Sequence, residues 1–290
     1  MRRFFRSRGV ISLAFVLLVA VGIGLGFGGF SYLLPGAPKI ALVRAEDVFL
    51  FGQSARDIAE MLHMAEDRSI KGVVIVLDSP GGTAADSEDL AIQVLELRKK
   101  KPVVVSIGGI AASGGYLLSV VGDYVVAKPT SFVGNVGVIL FAPSEFPPFE
   151  DIITTGPYKL TGGSAQTYLR MMEAAKEAFL KTVITQRGGK LKISKEEIST
   201  GRLWVGTEAV QNGLVDHVGS TTDAARIAAQ LAGLRRFETV DLLEELQKSR
   251  PPSPFFFGGT EKPTLEAIRS HPVMKNYHRL MLLYIEPKDQ

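Results

Sequence analysis

The sequence predicts a layered α/β fold, and three observations predict it. Gly72 to Leu77 is an unbroken apolar run (Gly-Val-Val-Ile-Val-Leu), the pattern of a parallel strand buried on both faces. Val103 to Ile107 repeats that signal after an intervening helical stretch, and closely spaced strand–helix–strand units imply right-handed crossovers. Two glycine-rich turns, Asp78-Ser79-Pro80-Gly81-Gly82 and Ala111-Ala112-Ser113-Gly114-Gly115, stand where such strands end and helices begin. Ligands of parallel sheets gather at those ends.

The elements follow in order. Ile40 to Val43 reads as a strand, and Ser54 to Asp67 as an amphipathic helix with Ile58, Met61, Leu62 and Ala65 on one face. After the Gly72 strand, a helix from Ala84 to Arg98 turns Leu90, Ala91, Val94 and Leu95 inward. The Val103 strand leads through Ser113 into a short helix ending near Val121, then a strand from Tyr124 to Ala127. Ser131 to Ile139 is a turn followed by a strand. Pro143, Pro147 and Pro148 exclude a regular helix from Phe141 to Glu150, an aromatic stretch suited to a rim or partner surface. Ile152 to Thr155 reads as a short strand and Gly156 to Gly163 as a glycine-bounded loop. A long helix from Ser164 to Arg187 carries Tyr168, Met171, Met172, Ala175, Phe179 and Val183 at core spacing. Ser194 opens a short helix with acids in its first turn. Gly201 to Gly219 is a compact strand–helix–strand, Thr221 to Leu231 a helix, and Phe237 to Lys248 a last strand and helix.

Both ends differ from this core. No charged residue occurs between Val10 and Leu34, a length that can span a bilayer. Arg2, Arg3, Arg6 and Arg8 precede it, which predicts a cytoplasmic N-terminus and an extracytoplasmic body. These four arginines outweigh the whole net charge of +3, so the remainder is close to neutral and gives no support to nucleic-acid binding. The chain has no cysteine, which excludes disulfides, thiol catalysis and cysteine metal sites. The expected organisation is an arm and anchor (1–34), a linker (35–39), a catalytic domain (40–248), and a linker with a helical tail (249–290).

The chemistry centres on Ser113. Small residues on both sides hold the backbone in a tight strand-to-helix turn that exposes the hydroxyl and points amides at a developing oxyanion. A cap serine in an ordinary turn reads the same way in isolation. The second turn, one βα unit upstream, raises the specificity, because Gly82 and Gly114 together offer two backbone donors for one oxyanion. A base is needed. His63 lies on a helix face, His217 in an apolar strand, and His271 and His278 in the tail, so none falls in a loop of the site. A lysine serves where desolvation favours its neutral form. Lys159 stands in a loop with no acid from Thr154 through Met172, and Lys128, beside Pro129, is the next candidate. No cofactor or metal is expected.

Taken together, D-S-P-G-G, A-S-G-G-Y, the G-x-V-G-V-I strand and a Y-K-x-x-G-G-S loop before a long helix resemble the signal peptide peptidase A family of membrane serine/lysine peptidases. The resemblance runs from about Lys39 to Gly219, including G-R-L-W-V-G-T-E-A-V-Q-N-G-L-V-D. It implies a Clp/crotonase-like fold of repeated ββα/βαβ units, Ser113 as nucleophile, Lys159 as general base, and Gly82 and Gly114 as the oxyanion hole. It also implies homo-oligomeric rings at the cell membrane that cleave signal-peptide remnants and other hydrophobic peptides. Asn135 stands where family members commonly place a serine that orients the lysine, and its amide oxygen can accept the same bond. Two other readings have less support: a crotonase-like acyl-CoA protein, and an inactive member acting as a membrane scaffold.

Overall fold

A five-register parallel path forms the centre of the structure, a computed structural model that describes residues 18–19, 21–22, 37–140, 155–159, 161–249 and 280–283. Contacts divide the chain into two units, 1–38 and 39–290. In the first, residues 18–19 and 21–22 are helical and 37–38 are irregular. The rest of the Val10–Leu34 span lies outside the described residues, and no described helix is long and apolar enough to cross a membrane.

In the second unit the order of the main sheet is β10-β1-β2-β4-β5-β9. These strands are β1 (Lys39–Glu46), β2 (Ile70–Ser79), β4 (Val103–Ala112), β5 (Tyr124–Ala127), β9 (His217–Val218) and β10 (Glu238–Asp241), all parallel to their neighbours. Side chains alternate across a strand, so one apolar run supplies two layers. Val73, Ile75, Leu77, Val103, Val105 and Ile107 enter the larger core. That core is roofed by α1 (Gly52–Met64), α2 (Ala84–Arg98), α3 (Gly114–Val120) and α8 (Leu242–Ser249). Val74, Val76, Val104 and Val126 face the other way, onto Ala224, Ala225, Ala228 and Ala229 of α7 (Thr221–Leu231). Alanines let that helix lie close: a Cβ on Gly72 would stand 3.3 Å from the Ala228 carbonyl.

The C-terminal half of β4 departs from this path and builds the site. Its first half pairs with β2 and β5, while Ile110 to Ala112 pair with β6 (Phe132–Gly134) and, after a shift of register, Ala111 stays opposite Ser79 of β2. β6 in turn runs antiparallel to β8 (Leu203–Val205), whose Trp204 is buried against Gly134. α4 (Ala165–Arg187) starts at a Ser164 cap, α5 (Lys195–Ile198) at a Ser194 cap, and α6 (Gly206–Gln211) follows β8. A second, small sheet is ordered β3 (Gly81–Thr83), β11 (Leu280–Leu283), β7 (Ile139–Leu140).

The expected elements are found where they fall on described residues, with three differences, the first being that 131–139, expected as a turn and then a strand, holds β6 and the start of β7 with irregular backbone at 135–138 between them. Met171 and Leu169 of α4 are exposed and only Phe179, Leu180, Val183 and Arg187 are buried, so the core stripe occupies the second half of that helix alone. Residues 280–283, expected to end a tail helix, form a strand. Helical spacing there competed with an available sheet edge, and a run of four apolar residues fits either. The aromatic stretch 141–150, the strand expected at 152–155 except Thr155, and residues 250–279 lie outside the described residues.

Candidate functional site

Asp78-Ser79-Pro80-Gly81-Gly82 is a brace made of side chains and bare backbone. The Asp78 carboxylate accepts the Gly109 amide at 2.7 Å and the Ile110 amide at 3.0 Å, fixing the bend in β4. Burial pushes the Asp78 carboxyl up, against the opposing pull of those two amides. Room for the carboxylate comes from Gly108 and Gly109, where any Cβ would lie 2.9 Å from its Oδ2. Ser79 donates to the Val48 carbonyl at 2.7 Å. Leu50 donates to the Gly81 carbonyl at 2.8 Å, and the Thr83 amide donates to Leu50 at 3.2 Å. Gly82 is pressed between them, since a Cβ there would stand 2.0 Å from the Leu50 carbonyl oxygen.

Ser113 follows β4 directly. Its φ of 52° and ψ of −118° lie where side-chain-bearing residues are strained, by about 1–3 kcal/mol. Three anchors hold it there: its amide donates to Gly134 at 2.9 Å, its carbonyl accepts Leu117, and β6 pairs beside it. Other helices of this chain show what a capping serine or threonine does: Thr83, Ser164, Ser194 and Ser220 each accept a first-turn amide. Ser113 makes no such bond. It is 1% exposed, and its hydroxyl has no hydrogen-bond partner among the described residues. The cap reading therefore fails. A strained, buried hydroxyl with no bond to any described residue thus stands at a strand-to-helix turn, the placement a serine nucleophile requires.

Gly114 and Gly82 meet beside it. A Cβ on Gly114 would stand 3.2 Å from the Gly82 nitrogen and 2.3 Å from Ser87 Oγ. Gly115 is packed as tightly, its missing Cβ 2.6 Å from the Ser79 carbonyl oxygen. Tyr116 has a structural role: buried, with its phenol pushed up by desolvation, it donates to the Leu214 carbonyl at 3.0 Å. Ser87 was not singled out in the sequence, yet its buried hydroxyl shares with Ser113 the lack of any partner among the described residues. Its signal was legible: Ser87, Leu90, Ala91 and Val94 make one helical face.

Asn135 lies next to β6 with φ 55°, donating its side-chain amide to the Gly201 carbonyl at 2.6 Å. Lys159 sits in a turn closed by its own amide on Gly156 at 3.1 Å, and it is exposed. No hydrogen bond joins it to Ser113. His63, His217 and Lys128 are exposed as well. No group of acids and histidines among the described residues could hold a metal ion.

Fold and turn put the chain in the class of parallel-sheet α/β proteins that carry a serine on a strained strand-to-helix turn. Comparison with known proteins narrows that class. The sequence model of Peptidase family S49 matches residues 96–145 and 149–235. Putative protease MJ0651 of Methanocaldococcus jannaschii is 32% identical over 270 residues, covering 81% of this chain and 86% of its own. Protease 4 of Haemophilus influenzae is 34% identical over 224 residues, covering 68% of this chain. The putative signal peptide peptidase SppA of Enterococcus faecium is 27% identical over 184 residues. The present chain spans 35% of the Haemophilus protein and 53% of the Enterococcus one. It belongs to peptidase family S49, the signal peptide peptidase A family its motifs resemble.

Proposed function

We propose that this chain is a membrane-anchored serine endopeptidase working through Ser113 and Lys159, and that it hydrolyses signal-peptide remnants and other apolar peptides. The observation that carries the reading is Ser113 itself, strained and unpartnered at the end of β4, with the Gly82 and Gly114 backbones beside it. Ser113 Oγ attacks the peptide carbonyl carbon while its proton passes to a neutral Lys159 Nζ. The carbonyl oxygen takes up negative charge facing the Gly82 and Gly114 amides, and each such donor is worth about 10²–10³ in rate. The C–N bond then breaks, Lys159 returns the proton to the leaving amine, and water hydrolyses the acyl ester on Ser113. Asn135 holds the lysine through its amide oxygen. The reading requires the exposed Lys159 to close on Ser113.

In the same reading residues 10–34 anchor the chain with its N-terminus in the cytoplasm, and copies assemble into a homo-oligomeric ring facing away from it. The test compares the full chain in detergent with folded Ser113→Ala and Lys159→Ala on fluorogenic peptides bearing apolar residues before the scissile bond. Loss of cleavage in both variants is expected. Cleavage that survives Ser113→Ala, or a parent that cleaves nothing, refutes the assignment; the second result favours the scaffold reading.

A further inference from the structure

Among the described residues, two buried side-chain hydroxyls lack a hydrogen-bond partner, those of Ser87 and Ser113, and both adjoin Gly114. Ser113 has a part in the proposed reaction, and Ser87 has none. It is 0% exposed and lies on the face of α2 that also carries Leu90, Ala91 and Val94. An alanine would suit that apolar face and spare the cost of an unsatisfied hydroxyl. The oxygen is kept at a cost to stability, and what it touches is the backbone of the oxyanion side.

A Cβ on Gly114 would lie 2.3 Å from Ser87 Oγ, 3.0 Å from Ser87 Cβ and 3.2 Å from the Gly82 nitrogen. Ser87 Oγ and the Gly82 nitrogen thus bear on the same face of Gly114, with no side chain between. Both come from one short piece of chain. Gly82 is fixed in β3 against the Leu50 carbonyl. Thr83 then caps α2, accepting the Asp86 amide at 3.1 Å and donating to the Asp86 carboxylate at 2.6 Å. Ser87 follows in the first turn, so the cap sets how far its Oγ stands from Gly82. Gly114 has no side chain of its own to hold it, and an oxyanion donor works only within about 2.7–3.1 Å of the developing charge. We infer that Ser87 is a positioning residue of the oxyanion hole: its Oγ is the seat that keeps the Gly114 amide in register with the Gly82 amide. The inference rests on the peptidase reading of Ser113 and adds a residue that acts through Gly114.

The experiment takes the full chain in detergent with Ser87→Ala, Ser87→Gly, Gly114→Ala and the double variant Ser87→Gly/Gly114→Ala. Steady-state cleavage of an apolar fluorogenic peptide separates kcat from KM, and thermal unfolding reads packing without any activity. Ser87→Ala should lower kcat by about 10²-fold, the loss that a displacement near 1 Å brings. Its KM should be unchanged, and it should melt at or above the parent because the unsatisfied hydroxyl is gone. A peptide boronate, which places a tetrahedral anion on Ser113, should bind Ser87→Ala more weakly by the same factor, while the product peptide binds as before. Ser87→Gly and Gly114→Ala each slow the enzyme. The double variant exchanges one atom at the seat for another and should regain about tenfold over Gly114→Ala. An unchanged kcat in Ser87→Ala, a change in KM alone, or losses that multiply in the double variant overturn the inference. So does a slow Ser87→Ala that melts below the parent, the mark of a purely structural serine. If the parent cleaves nothing, or cleavage survives Ser113→Ala, the peptidase reading fails and the role assigned to Ser87 falls with it; the melting point of the double variant then still reports whether Ser87 and Gly114 share one space.

Discussion

Ser113→Ala should make this protein more stable while abolishing hydrolysis. The Ser113 hydroxyl is buried and has no partner among the described residues, so the folded state bears its desolvation without any return. Leaving such a group unsatisfied costs about 1–3 kcal/mol, and alanine removes the group while keeping the Cβ. For a body of roughly 200 residues each kcal/mol moves Tm by about 2–4 °C, so the melting point should rise by about 2–12 °C. Ser119 supplies an internal control, because it is equally buried but donates to the Gly115 carbonyl at 2.8 Å. Ser119→Ala should lose about 0.5–1.5 kcal/mol. Ser113→Gly additionally relieves the φ of 52°, worth about 1–3 kcal/mol, offset by about 0.5–1 kcal/mol of glycine entropy. The assay is thermal or urea unfolding of the three variants beside the parent. If Ser113→Ala melts at or below the parent, as Ser119→Ala should, the hydroxyl is engaged in the folded protein and the argument for a poised nucleophile fails.

Gly114→Ala should reduce kcat by about 10²-fold or more, because its Cβ must move Ser87 or the Gly82 donor; Ser87→Gly in the same chain should recover part of the loss, and full activity in Gly114→Ala alone would refute the packing argument. Asp216→Asn should cost about 3–5 kcal/mol in urea unfolding, since it strands the buried Arg187 guanidinium now bound through both terminal nitrogens at 2.9 and 3.0 Å. Acid sensitivity follows from the same pair. Burial raises the Asp216 carboxyl, but hydrogen bonds from Arg187 and Lys190 outweigh it and hold the group below its ordinary value. A folded pKa below the unfolded value of about 3.9 means a stabilisation present above that pH and lost as pH falls through the folded pKa. The parent should therefore lose stability below about pH 4 more steeply than Asp216→Asn, and parallel curves would count against the pairing.

Periodicity made most of the fold legible. Apolar runs such as Val73–Leu77 and Val103–Ile107 can be satisfied only between two layers, so they announced a parallel sheet covered on both sides. Glycine spacing marked the two turns, because a backbone that passes 2.0 Å from where a Cβ would sit excludes every other residue. A local rule also placed the opening of the short helix at Ser194. All of this depends on neighbours within a few positions of one another, and the sequence by itself determined it: the layered class, the serine turn, and the glycines that face it.

Only the tertiary structure decided what those pieces do to one another. That Asp78 holds Gly109 and Ile110 of β4 and that Ser87 underlies Gly114 depend on residues 27 to 32 positions apart being brought into contact, and that Ser113 makes no capping bond shows only in its backbone angles. The strand at 280–283 is the plainest case. Four apolar residues are as good a helix turn as a strand when read alone, and the choice fell to two unpaired edges, β3 and β7, separated from it by more than a hundred residues of chain. Backbone groups must find partners wherever they are buried, and which partners are within reach is a property of the assembled sheet.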